Sequence, residues 1–119
     1  TMLMDAESAI SSDTLDLGDA GAVFVRADVL DILDNSSITS RARQGRGNAG
    51  AVRVEAGDLF LRDASISSDT LTDGDAGAVS VRAGTLVMNG FRRGITFISS
   101  DTLGRGDAGD VTIEADAVE

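Results

Sequence analysis

The sequence predicts an all-β fold: a parallel β-helix, or β-solenoid, of about four coils of roughly 28 residues, with three short strands per coil. Three observations predict it. The hexapeptide ISSDTL occurs at Ile10–Leu15, Ile66–Leu71 and Ile98–Leu103, and has drifted to ITSRAR at Ile38. A second phrase follows each time, GDAGAV at Gly18–Val23, GNAGAV at Gly47–Val52, GDAGAV at Gly74–Val79 and GDAGDV at Gly106–Val111. Apolar residues alternate with variable ones around these phrases, and no segment has helical periodicity.

Each element follows from the alternation. After the Gly phrase comes a strand with Val23 and Val25, Val52 and Val54, Val79 and Val81, or Val111 and Ile113 facing inward, while Phe24, Arg53, Ser80 and Thr112 vary between them. Ala27, Ala56, Ala83 and Ala115 supply a small side chain where an inward position meets a bend. A second strand carries Leu30 and Ile32, Leu59 and Leu61, or Leu86 and Met88 inward. The hexapeptide is the third, with Ile10, Ser12 and Thr14 on one face and Ser11 and Asp13 on the other. The repeat units are approximately 10–37, 38–65, 66–97 and 98–119. Residues 1–9 form the end of a preceding coil, and 1–119 is one β-helix segment.

A single unit is too thin to bury its own apolar row. Stacking like strands about 4.8 Å apart gives three parallel sheets around one core. An antiparallel sandwich fits the short strands and Gly turns, but gives no reason for each position to repeat its residue type. In a stack every residue lies over its counterpart. Ser12, Ser40, Ser68 and Ser100 then form a column whose hydroxyls bond to one another and to turn carbonyls. Asp19, Asn48, Asp75 and Asp107 stack at a tight turn, where flanking glycines permit positive φ. Outward charges alternate in sign as Arg26, Glu55, Arg82 and Glu114, and Arg41 falls between Asp13 and Asp69. A slipped coil brings like charges together, so the alternation fixes register.

Composition narrows the function classes. Twenty acids, sixteen of them Asp, stand against ten Arg and no Lys, a net charge of −10. That argues against nucleic acid and anionic membrane surfaces as partners. No apolar run is long enough for a membrane span. The absence of His and Cys removes the usual nucleophile–base pairs and soft metal sites, so no catalytic residue, cofactor or metal ligand is predicted. Carboxylate pairs can hydrolyse glycosides, and some β-helices act on polysaccharides. Such sites need a patch that differs from coil to coil, and these acids repeat with the coil. Asp75 and Asp107 beside Gly turns leave calcium open, although the calcium-binding nonapeptide GGxGxDxUx is absent. Hydroxyl rows such as Ser11, Thr39, Ser67 and Ser99 lack the Thr-x-Thr pattern of ice-binding solenoids. One irregularity is the insertion MNGFRRGITF at Met88–Phe97. Its Phe91, Arg92 and Arg93 are the candidate contacts for a specific ligand such as an anionic glycan.

The cadence GNAGAVRVEAGDLFLRDASISSDT in Gly47–Thr70 resembles the repeats of the filamentous-haemagglutinin-like exoproteins, adhesins exported by two-partner secretion. The likeness covers Met2 to Val118; its motifs are specific as a set and weak singly. It implies a right-handed parallel β-helix at a bacterial surface, secreted as a structural rod for adhesion or matrix. The family's amino-terminal secretion domain is not among these residues. The expected function is therefore a structural module of a cell-surface adhesin or extracellular fibre, not an enzyme, with a glycan- or host-surface-binding segment as the alternative.

The ends extend that expectation. The chain begins within the Leu-x-Leu side and stops at the start of the same side, with no cap. From Gly106 to Glu119 and on from Thr1 to Ile10 is 23 steps, against 20, 19 and 24 for the equivalent Gly-to-Ile distances within the chain. The residues thus read as one unit of a longer rod, partnered end to end by neighbouring coils or by copies of itself.

Overall fold

The computed structural model describes residues 1–90 and 94–119. Among these, nine strands and no helix are present: β1 (Met2–Met4), β2 (Ala9–Thr14), β3 (Val23–Leu33), β4 (Ser37–Ala42), β5 (Val52–Arg62), β6 (Ser65–Thr70), β7 (Val79–Asn89), β8 (Phe97–Thr102) and β9 (Val111–Val118). All pairings are parallel. One sheet runs β1-β3-β5-β7-β9 and the other β2-β4-β6-β8. Each strand pairs with its homologue one coil away, which is the architecture of a β-solenoid of about four turns.

The register follows the repeat letter by letter. Val25, Val54, Val81 and Ile113 form one column, and Ile10, Ile38, Ile66 and Ile98 another. The next column runs Met2, Leu30, Leu59, Leu86 and Val118. In the two middle coils these side chains are essentially dry: Val52, Val54, Leu61, Ile66, Val79 and Leu86 have at most 1% exposure. Non-local parallel pairing is costly to close, and this continuous apolar shaft is what offsets it.

One expectation is corrected. Three strands per coil become two, because the Val and Leu strands run on as a single bent strand of 11 residues in β3, β5 and β7. Inward positions go Val23, Val25, Ala27 and then Leu30, Ile32, so the alternation slips by one at Asp28–Val29. The ladder omits Asp28, Gly57 and Gly84 and resumes at once with Val29, Asp58 and Thr85. Small Ala side chains inside the bend let the sheet turn without ending, so two sheets enclose the core rather than three.

A second correction concerns the glycines. None of those in the Gly-Asp/Asn-Ala-Gly phrase has positive φ, and Gly45 is the only glycine that does among the described residues. Left-handed backbone lies at the other corner, between the Leu side and the hexapeptide: Ala6, Glu7, Asp34, Asn35 and Asp63. Asp and Asn tolerate this region better than other residues with a Cβ. The corner is laddered too, with the Asn35 N–H donating to the Asp63 carbonyl (2.7 Å) and the Asp34 N–H to Arg62 (3.0 Å). Above it, seven residues between Asn89 and Phe97 replace the two between Arg62 and Ser65. The Thr96 hydroxyl donates to the Asn89 carbonyl (2.7 Å).

Candidate functional site

The densest polar constellation is the corner built by the Gly phrase and the hexapeptide serines. Gly47, Gly50, Gly74, Gly77, Gly106 and Gly109 each lie with their Cα against a backbone carbonyl of the coil beneath, so a Cβ at any of them would overlap it. That close approach, rather than a turn conformation, is the reason for glycine here. It also brings the Ser column within bonding distance of backbone. Ser40 Oγ accepts from the Gly50 N–H (2.8 Å) and donates to the Gly21 carbonyl of the coil beneath (3.1 Å). Ser68 repeats this with Gly77 (2.8 Å) and Gly50 (3.0 Å), and Ser100 with Gly109 (2.9 Å) and Gly77 (2.9 Å). The expected hydroxyl-to-hydroxyl bonds are therefore replaced. Ser40, Ser68 and Ser100 each bridge two coils through glycine backbone.

A second ladder runs beside it. The backbone N–H of Asn48 donates to Asp19 Oδ1 (2.8 Å), that of Asp75 to Asn48 Oδ1 (2.7 Å) and that of Asp107 to Asp75 Oδ1 (2.8 Å). Each side chain accepts from the coil above, so the ladder has a direction. Backbone bonds complete the corner: Ala20 N–H to the Asn48 carbonyl (2.8 Å), Ala49 to Asp75 (2.9 Å) and Ala76 to Asp107 (3.0 Å). Asp75 Oδ1 is thus already an acceptor for backbone. Among the described residues no three acidic side chains converge in a metal-binding group.

Outside the core, Arg26, Glu55, Arg82 and Glu114 lie in register as the alternation predicts. Arg82 bonds Glu114 (2.9 Å), Arg26 stands 3.9 Å from Glu55, and Glu55 is also held by Arg53 from its own strand. The Arg53 guanidinium lies over the Phe24 ring at 5.6 Å. Arg41 stands between Asp13 and Asp69 in the ladder and bonds Asp69 (3.4 Å), while Asp13 is taken by Arg43 (3.5 Å). Arg41, Arg43 and Asp69 line a shallow outer groove with Leu71, Phe97 and Leu103. Arg41 and Arg43 are both engaged there by carboxylates.

The sequence-predicted ligand contacts, Phe91, Arg92 and Arg93, lie outside the described residues. What sequence reasoning missed is the function of the paired glycines and the direction of the Asp/Asn ladder. The recurrence of both glycines in all four phrases was the available signal. No helix among the described residues is long and apolar enough to cross a membrane.

The two end faces complete the picture. At one, Val111 and Ile113 of β9 are 42% and 44% exposed, whereas their counterparts Val79 and Val81 are buried. At the other, Ile10 and Met2 are only half-buried. No protein-family model matches this chain, and neither the curated proteins nor the solved structures contain a match.

Proposed function

We propose that this chain is a structural module of a secreted bacterial adhesin or extracellular fibre, a stiff rod that works by geometry and not by catalysis. The observation that carries the reading is the uninterrupted coil-on-coil register, in which core, serine, Asp/Asn and charge columns all repeat together. Such a column is stiff because every coil is tied to the next by two parallel sheets and two side-chain ladders. Five strands at about 4.8 Å spacing span only about 19 Å, so reach comes from adding coils. The net charge of −10 keeps such rods apart laterally. The cadence of Gly47–Thr70 supports placing the module outside the cell. Its acids repeat with the coil, which favours a scaffold over an enzyme.

Antibody labelling of intact cells producing the native gene product, with and without protease shaving, tests this. Surface label removed by protease is the expected result; signal only after lysis overturns the reading.

A further inference from the structure

We infer that the outer face of the Leu half of the long sheet seats an arginine side chain of a partner protein, with Phe60 as the platform and Asp31 and Asp58 as the counter-charges. The inference goes beyond the rod reading and does not depend on it.

The seat lies in the interior of the stack. Phe60 is on β5, with Asp31 of β3 beneath it and Val87 of β7 above it. Asp58 precedes Phe60 by two residues, so it leaves the strand on the same outer face, with Thr85 above it. Strand geometry sets Asp31 about 4.8 Å and Asp58 about 7 Å from Phe60, backbone to backbone. With Leu33 these residues line a shallow depression of about 440 Å³. Leu3 pairs below Asp31, and the Met88 N–H beside Val87 donates to the Glu119 carbonyl above (2.8 Å), so strands flank the seat on both sides.

Its carboxylates are unanswered within the chain. Glu55, Glu114, Asp13 and Asp69 also face outward from strands, and each is paired with an arginine. Among the described residues neither Asp31 nor Asp58 has a side-chain hydrogen bond or ion pair. Arg62, two residues beyond Phe60, is turned to Asp34 instead (3.3 Å). Nor does column register account for the two aspartates, since they depart from the coil repeat. Their columns read Leu3, Asp31, Phe60, Val87 and Val29, Asp58, Thr85, Ala117.

The protein holds a complete version of this seat elsewhere. The Arg53 guanidinium lies over the Phe24 ring at 5.6 Å while its Nε donates to Glu55 (3.0 Å). Ring and carboxylate grip one guanidinium from two sides, the ring through its negative π face and the acid through charge. Phe60 with Asp31 and Asp58 offers the same two groups to an arginine of another protein. Arginine suits the seat better than lysine, because its planar, weakly hydrated head stacks on a ring and still donates along its edge. A net charge of −10 draws a basic partner in and repels an acidic one.

The test is titration of the isotope-labelled full chain with an acetylated, amidated peptide of alternating arginine and glycine, followed by amide chemical shifts. The control peptide carries citrulline for arginine, which keeps the shape of the side chain and loses its charge. Saturable shifts centred on Asp31, Asp58, Phe60 and Val87 are expected with the arginine peptide and none with the citrulline one. Asp31→Asn combined with Asp58→Asn should weaken binding about tenfold, and Phe60→Leu about fivefold. The charge-matched pair Asp16→Asn and Asp110→Asn, away from the seat, should change it by no more than about twofold. Circular dichroism checks that each variant keeps the fold. Equal weakening by the two double variants overturns the proposal, because net charge alone then draws the peptide, and so does binding that Phe60→Leu leaves unchanged. Shifts scattered over the acidic surface, equal binding of the citrulline peptide, or no shift at all also overturn it, and these need only the wild type. An intracellular location of the gene product removes the rod reading and leaves this result standing.

Discussion

At the residue scale, the corner serines and glycines work as one unit. Ser68 is fully buried and its hydroxyl answers both a backbone N–H and a carbonyl, so removing it strands two polar groups away from water. Ser68→Ala is expected to lower unfolding free energy by about 1–3 kcal/mol in a urea titration. Ser12→Ala, at the more exposed end coil with one of these bonds, should cost clearly less. Gly77→Ala is a sharper experiment, because its Cβ would meet the Gly50 carbonyl carbon and oxygen. Backbone cannot step aside there without parting both ladders, so this variant should lose far more stability than Ser68→Ala.

At the element scale, the two corners of the coil use different chemistry. The Gly phrase turns by close approach, while Leu33–Ser36 turns through left-handed Asp34 and Asn35. Asn35→Gly is expected to be neutral or slightly stabilising. Asn35→Val, β-branched at φ 63°, should cost about 1–2 kcal/mol, read from the shift in the denaturant midpoint. On the outer face of the long sheet, Glu55 stands among Arg26, Arg53 and Arg82. Glu55→Gln should cost no more than about 1 kcal/mol, since partial exposure screens these pairs, and added salt should shrink the difference. A larger, salt-independent loss would mean that Glu55 acts by packing instead.

At the scale of the whole molecule, stability belongs to the column and not to any one coil. Middle coils are covered on both faces and end coils on one, so protection should fall toward the ends. Amide hydrogen exchange is expected to be slowest in β5 and the first half of β7, and fastest in β9. Leu59→Ala removes a fully buried side chain from a continuous shaft and should cost about 2–5 kcal/mol, whereas Val111→Ala, already 42% exposed, should cost a small fraction of that. Equal losses at the two sites would mean that an end coil is packed as tightly as a middle one in solution.

The sequence by itself determined the architecture and its register. A fixed period aligns like with like, and parallel stacking is the arrangement that rewards every position for repeating its type, so the Val, Leu, Ile and charge columns were all legible. Tertiary structure alone decided the rest. Whether a bend ends a strand depends on whether neighbouring backbones stay bonded through it, and at Ala27–Val29 they do. Whether a glycine serves conformation or proximity depends on what lies beneath it, and repetition looks the same in both cases. The bonds of Ser40 and Ser68 and the one-way Asp19–Asn48–Asp75–Asp107 ladder are set by distances between coils, which no spacing along the chain encodes.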